Sequence, residues 1–378
     1  MRKERWQRLL ARVKESGVSG IALVPGPNLY YLTGLRMGQS ERVTVLVAKS
    51  DGKAFFVMPG FEASKGEAAV EALREEGVPV DFSVYPYLDQ EGPLKAFLDA
   101  LGTGASSRDT WAFEYGHMRL LEFCLFKEAL GDFRHVDAGD ILKDLRMIKD
   151  EEELSLMERA CKLCDLGVDV ARGLCQPGRT GKEIARGVEA VLRDKGAGQV
   201  GISVATGPET AIPHARTSDR KIAGGDLVWI DLTVNVDGYW GDITRTFAVG
   251  TISRELEKVY RVVLEAQEHA RLKARPGMTG KEIDDLAREV IGSYGYGEYF
   301  THRTGHGLGL EVHEEPYIVA SNTEVLREGT TFTVEPGIYI PGKGGVRIED
   351  DVVLTANGAR SLTSYPRNLL YCDGKLVV

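Results

Sequence analysis

Apolar and polar positions alternate in two styles along the chain, and the change of style divides it. Before about residue 137, short β-rich runs at Ile21–Val24, Val43–Ala48, Ala54–Met58 and Trp111–Tyr115 are separated by helical patterns such as Phe61–Glu76 and His117–Ala129. Short apolar runs alternating with helical periodicity predict a small α/β domain. Pro25-Gly26-Pro27-Asn28 reads as a turn. From Asp150 to Leu174 the pattern turns into one long helix, opened by the charged stretch Val136–Glu153. We therefore expect a first domain over residues 1–137 and a second over 138–378.

The second stretch repeats itself. Pro177–Ile184, PGRTGKEI, recurs as Pro276–Ile283, PGMTGKEI, 99 residues on (276 − 177). Each copy places Glu three residues after Thr, as Thr180/Glu183 and Thr279/Glu282. That is a capping box, in which the Thr oxygen accepts from an orphan helix N–H and the Glu reaches back. Two helix starts are predicted, and seven identities in eight positions argue against coincidence.

The repeat extends to two acidic hairpins. In Gly225–Phe247 the pair Asp237-Gly238 lies between β-rich arms, a strong hairpin signal. A two-residue loop there makes residue 231 face residue 244, with Asp242 as the same-face diagonal neighbour of Asp231. Diagonal neighbours lie roughly 7–8 Å apart at Cα, which suits carboxylates sharing two ions about 3.5–4 Å apart. The second copy supplies Glu335 and Glu349. If Pro341–Gly345 is a five-residue loop, Glu335 faces residue 351 and Glu349 is its diagonal neighbour. A pseudo-twofold site with four inward carboxylates follows.

Histidines extend the symmetry and break it. His214 and His313 again differ by 99 (313 − 214) and are candidates for equivalent positions flanking the site. His306 has Gly207 at the offset position, so it has no counterpart; its neighbours Gly305 and Gly307 would let backbone approach a ligand. His117, His135, His269 and His302 carry no motif and are expected to be structural or exposed.

Composition narrows the chemistry. Hydrophobic content of 43%, charged content of 27% and a net charge of −9 describe an ordinary globular protein without the basic footprint of a nucleic-acid partner. No apolar run approaches the roughly 18 residues of a membrane span. The opening, MRKERWQRLLARVKESG, is a charged amphipathic helix without an apolar signal core, so we expect a cytoplasmic protein. The odd cysteine count, five, fits reduced thiols, and Cys161/Cys164 within a helix fit core packing better than a metal or redox site. Four carboxylates on one face need cations. Arg245 and Arg347 are near in sequence and would make a salt-bridged structural site. Divalent ions serve better, and four carboxylates with one imidazole suit a pair of Mn²⁺ or Co²⁺ ahead of Zn²⁺ or Fe²⁺. Two such ions imply hydrolysis.

These residues resemble the pita-bread metallopeptidases: prolidases, aminopeptidase P and methionine aminopeptidase. The resemblance runs from about Asp140 to the C-terminus. It is carried by Asp231, DITRTF with Asp242, GHGLGLEVHEEP with His306 and His313, VEPGIYI with Glu335 and VRIED with Glu349. The stretch NLYYLTGL, Asn28–Leu35, is similar to the N-terminal domain of the prolidase, aminopeptidase P and creatinase branch. The implied fold is α+β, a pita-bread domain with an internal pseudo-twofold repeat preceded by a smaller α/β domain. The resemblance implies metal ligands Asp231 on one ion, His306 and Glu335 on the other, and Asp242 and Glu349 bridging. It implies that Glu335 takes the proton of the attacking water and that His214 and His313 bind the scissile carbonyl or serve the leaving amine. Arg347 would orient a carboxylate or the peptide, or equally form a salt bridge behind the site. The expected substrates are short proline-containing peptides, Xaa-Pro dipeptides first and longer Xaa-Pro peptides as the alternative, cut by a homodimer. A non-peptidase hydrolase or a silent binding module on the same fold is the reading of another class.

Overall fold

The computed structural model describes residues 2–102 and 109–372; Met1, at the head of the expected first helix, lies outside them. The chain divides into two units, Met1–Arg146 and Met147–Val378. In the first, α1 (Arg2–Glu15), β1 (Gly20–Leu23), α2 (Pro27–Thr33), β2 (Val45–Lys49), β3 (Lys53–Pro59) and α3 (Ala63–Glu75) are followed by β4 (Asp81–Tyr87), α4 (Leu94–Leu101), β5 (Thr110–Phe113), α5 (Leu120–Leu130), β6 (Arg134–Asp137) and α6 (Gly139–Arg146). The strands form one mixed sheet in the order β4-β3-β2-β1-β5-β6. An aromatic core of Phe97, Trp111, Phe113 and Phe126 fills the space beneath α4 and α5. The expected turn ends at Gly26, and Pro27 opens α2, where its missing N–H costs nothing.

The division falls after Arg146 rather than at 137/138, and α6 explains the difference. Its apolar face, Ile141, Leu142 and Leu145, is buried. Tyr31 donates its hydroxyl to the Leu145 carbonyl at 2.7 Å, and Arg146 donates to Asn28 at 3.0 Å. Both contacts tie α6 to α2, so it completes the first unit.

The second unit runs α7 (Glu151–Leu174), α8 (Gly181–Asp194), β7 (Gln199–Thr206), β8 (Leu227–Val236) and β9 (Tyr239–Ala248), then α9 (Arg254–Lys273) and α10 (Gly280–Ser293). Strands β10 (Gly305–Gly307), β11 (Glu314–Ile318), β12 (Thr331–Val334), β13 (Gly337–Ile340), β14 (Gly344–Arg347), β15 (Asp350–Thr355), β16 (Gly358–Ser361) and β17 (Leu370–Tyr371) follow. Helices α8 and α10 are the repeated starts. Thr180 accepts from the Glu183 N–H and Thr279 from the Glu282 N–H, and both glutamates reach back. One half packs α7 and α8 on the sheet β17-β9-β8-β7; the other packs α9 and α10 on β11-β10-β12-β15-β16 with the ribbon β13-β14. This is the α+β architecture with internal duplication that the sequence implied. Cys161 and Cys164 are buried in α7 against this core.

The first hairpin has the expected register. Asp237 and Gly238 both take positive φ, 51° and 97°, and Val236 pairs with Tyr239 across a two-residue loop. Asp231 faces Thr244 and Thr233 faces Asp242, so the two aspartates are diagonal neighbours on one face.

The second hairpin does not. Ile340 pairs with Gly344, which leaves a three-residue loop, and Val334 pairs with Asp350. Continuing that register sets Glu335 opposite Glu349, not opposite residue 351. Pro336 follows Glu335 and has no N–H to donate; the ladder stops at Val334 and resumes at Gly337.

The halves meet along one seam. Glu349 N–H donates to the Thr244 carbonyl at 3.1 Å, Asp242 N–H donates to Asp351 Oδ2 at 2.8 Å, and Arg347 N–H donates to the Thr246 hydroxyl at 3.2 Å. The offset from 242 to 349 equals that from 244 to 351 (349 − 242 = 351 − 244). The first two contacts therefore join corresponding positions of the two halves, with a carbonyl as acceptor in one and a carboxylate in the other, and Asp242 corresponds to Glu349.

Candidate active site

Strand alternation aims the acidic residues. Period two along β9 sends Asp242 and Thr244 to one face and Arg245 to the other. Arg245 accordingly turns away, to Asp350 at 2.8 Å and the Tyr365 carbonyl at 2.7 Å. It does not neutralise the cluster. Asp231 comes from the middle of β8, His306 from β10, Glu335 from the residue after β12, and Glu349 from the link between β14 and β15.

All five, with His214, His313 and Arg347, line a single cavity of about 350 Å³, within the size range of small-ligand sites. Asp242, His306 and Glu349 present ligand atoms within 4.8 Å of one another. His306 Nε2 lies 3.3 Å from Glu335 Oε1 and 3.9 Å from Asp242 Oδ2. Asp231 stands at the edge of this group, paired with Arg347 Nη2 at 2.5 Å. Glu349 accepts from the Thr244 hydroxyl at 2.6 Å, and Glu335 from the Thr333 hydroxyl at 3.2 Å. His313 stacks edge-on against His306, ring centres 4.3 Å apart, and both it and His214 are exposed at the mouth.

The electrostatics call for a cation. Burial first, then the neighbouring carboxylates, push Asp242 and Glu349 well above the usual carboxylate range. Burial pushes Glu335 up to about 7. Burial, then His313, lowers His306 to about 3, so its imidazole is neutral. His306 Nδ1 lies 3.1 Å from the Gly307 carbonyl, which assigns the proton there and leaves a lone pair on Nε2. That lone pair faces carboxylate oxygens. Asp242 Oδ1 is buried without a hydrogen-bond partner. Buried acceptors facing acceptors are what divalent ions resolve, so the donor set fits them.

Two glycines behave differently from expectation, and Arg347 makes the salt bridge. Gly305 and Gly307 are needed by neighbouring strands: a Cβ on Gly305 would lie 1.8 Å from the Thr333 carbonyl oxygen, and one on Gly307 2.3 Å from that of Glu315. Arg347 reaches the cavity wall but is 3% exposed. It donates to Asp231, to the Tyr339 hydroxyl at 2.9 Å, to the Pro213 carbonyl at 3.1 Å and to Thr244 Oγ1 at 3.1 Å. These contacts hold it within the wall rather than open to substrate.

Two titratable lining residues lie outside the expected set. His302, expected to be structural or exposed, borders the cavity. Its Nδ1 lies 2.7 Å from the Arg303 carbonyl and its Nε2 2.9 Å from the Tyr339 hydroxyl. Burial lowers it to about 4; Nδ1–H then donates to the carbonyl and Nε2 accepts from Tyr339. Arg303 is the other. Their only sequence signal is adjacency to the His306 motif.

The chain is similar to known proteins. Residues 155–356 match Metallopeptidase family M24, and residues 5–148 match the Creatinase/Prolidase N-terminal domain. A putative dipeptidase, YkvY, of Bacillus subtilis is 38% identical over 97% of this chain and 99% of its own length. A Xaa-Pro dipeptidase of Pyrococcus furiosus is 37% identical over 97% of this chain and 100% of its own. The crystal structure of dipeptidase PepE from Mycobacterium ulcerans superposes with a TM-score of 0.89 at 35% identity, covering 98% of both chains.

Proposed function

Because this chain belongs to metallopeptidase family M24, we propose that it is a dinuclear-metal Xaa-Pro dipeptidase that releases the first residue and free proline from Xaa-Pro. The observation that carries this reading is the neutral His306, whose Nε2 lone pair faces the carboxylates of Asp242 and Glu335 in one cavity. The names of the relatives, a dipeptidase and a Xaa-Pro dipeptidase, support the substrate.

Asp231, Asp242, His306, Glu335 and Glu349 would hold two divalent ions, Mn²⁺ or Co²⁺ ahead of Zn²⁺ or Fe²⁺, because four oxygen donors and one nitrogen suit borderline-hard metals. Such ions lower the pKa of a water nucleophile and polarise the scissile carbonyl. Glu335 takes the water's proton. Water oxygen bonds to the carbonyl carbon, the C–N bond to proline breaks, and the proton ends on the proline nitrogen. His214 and His313, open at the mouth, bind the carbonyl or deliver that proton. The amide before proline has no N–H, so recognition must come from the proline ring and its carboxylate. The working form is a cytoplasmic homodimer.

Incubation with Ala-Pro, Ala-Pro-Pro and Ala-Ala-Ala in the presence of Mn²⁺ tests the reading. Ala-Pro should be cleaved fastest. Faster cleavage of Ala-Pro-Pro would make the enzyme an aminopeptidase P, and faster cleavage of Ala-Ala-Ala would remove proline specificity. A homodimer predicts twice the chain mass by light scattering.

A further inference from the structure

Two arginines border the cavity, and their donors face different things. Arg347 is buried, with its guanidinium directed at Asp231, Tyr339, Pro213 and Thr244. Arg303 is half-buried at the cavity. Among the described residues its guanidinium has no ion pair and no hydrogen bond; it lies 4.5 Å over the Tyr317 ring. An arginine stacked on an aromatic face keeps the edge of its planar fork open, and that edge matches a carboxylate with two parallel N–H···O bonds.

The location is held from two sides. Arg303 precedes His306 by three residues, a reach of at most roughly 10 Å along extended backbone. Tyr317, its platform, is the direct β-ladder partner of His306. In a dipeptide ending in proline, the free carboxylate carbon is two bonds from the nitrogen of the bond to be cut. A cation for that carboxylate must therefore stand beside the hydrolytic centre, and it must have donors to offer. Arg303 meets both conditions; Arg347 meets only the first.

Resting on the dipeptidase reading above, the geometry points to Arg303 as the residue that receives the proline α-carboxylate of the substrate. Its partner is a free C-terminal carboxylate, so a substrate with an amide there loses the contact. Arg347 has a separate task, holding Asp231.

The test compares Ala-Pro with Ala-Pro-amide on metal-loaded wild type, Arg303→Met and Arg303→Lys. For Arg303→Met, KM for Ala-Pro should rise about 10- to 100-fold with kcat little changed, the loss expected of a charged hydrogen-bonded contact. Its kcat/KM for Ala-Pro-amide should stay within about threefold of wild type, since that substrate never made the contact. Arg303→Lys, which keeps the charge, should recover part of the Ala-Pro affinity. A wild-type measurement stands beside the variants: free proline should inhibit about tenfold or more tightly than prolinamide. Equal losses on both substrates, an unchanged KM for Ala-Pro, or equal inhibition by proline and prolinamide overturns the assignment. Wild type that cleaves Ala-Pro, with Arg303→Met unaffected, overturns Arg303 alone. Wild type that cleaves Ala-Pro-amide but not Ala-Pro overturns the dipeptidase reading as well.

Discussion

Thr244 and Glu349 hold each other twice: the threonine hydroxyl donates to the glutamate carboxylate at 2.6 Å, and the glutamate N–H donates to the threonine carbonyl at 3.1 Å. The same hydroxyl accepts from Arg347 Nε at 3.1 Å. Thr244→Val keeps the shape and removes the hydroxyl, stranding a buried carboxylate oxygen and an arginine N–H. It should cost about 1–3 kcal/mol in denaturant unfolding and weaken metal binding about 10- to 100-fold. Thr244→Ser should restore most of both. Wild-type metal affinity in the valine variant would show that Glu349 needs no such hold.

Asp242 feels the charge of Glu349, Asp231 and Glu335, and one of its oxygens is unpartnered. Asp242→Asn should reduce occupancy of both metal positions together. Elemental analysis after dialysis reads this directly, and two ions still bound per chain would contradict a bridging role.

Glu335→Gln keeps volume and removes the proton acceptor. A fall in kcat of about 10²–10⁴-fold is expected, the range for general acid–base groups. A change under about tenfold with metal content unaltered would place the base elsewhere.

His313→Ala should leave metal content intact and slow the chemical step, as a contact to the developing charge would. Single-turnover kinetics separates this from a pure rise in KM, which would make His313 an anchor for substrate binding only.

Metal-free protein should lose stability as pH rises above about 7.5. Glu335 titrates near 7 in the folded protein against an ordinary 4.5, and Asp242 and Glu349 are also raised. The native state then binds more protons than the unfolded one, so unfolding free energy falls as pH climbs through this window. His302, His306 and His313 are lowered and act in the opposite sense, an effect that fades as pH passes their unfolded value of 6.5 and is largely spent about one unit above it. Beyond that the carboxylates act almost alone. Thermal unfolding with chelator should show Tm falling over about pH 7.5–9, and added Mn²⁺ should raise Tm most at the upper end. A chelated Tm that rises over this range would mean the carboxylates are compensated by other groups.

The carboxylates and His306 that line the cavity were legible because each sits in a local pattern. Asp237-Gly238 fixes the first register, and from it the facing of Asp231 and Asp242 follows. The second register was not legible from Pro341–Gly345 alone, because loop closure at Ile340 and Gly344 depends on pairing and Pro336 interrupts the ladder. Strand β6 has four exposed residues and no apolar alternation, so nothing in Arg134–Asp137 announces it. The environment of His302 comes from Tyr339, and that of Arg347 from Asp231, 116 positions away. Spacing within one stretch carries no trace of such partners.

The seam along β9 also governs how the centre tolerates change. It is close to an isologous contact folded into one chain: the Asp242 N–H meets the Asp351 carboxylate where the Glu349 N–H meets the Thr244 carbonyl. Both halves contribute an equivalent carboxylate, and both carboxylates keep their aim only while β9 and residues 347–351 stay in phase. A substitution disturbs one arm of this pairing. A single-residue insertion or deletion within β9 would rotate Asp242 and Thr244 to the opposite face together, carrying Arg245 inward and dismantling both arms at once. Length in this strand is therefore more tightly constrained than identity.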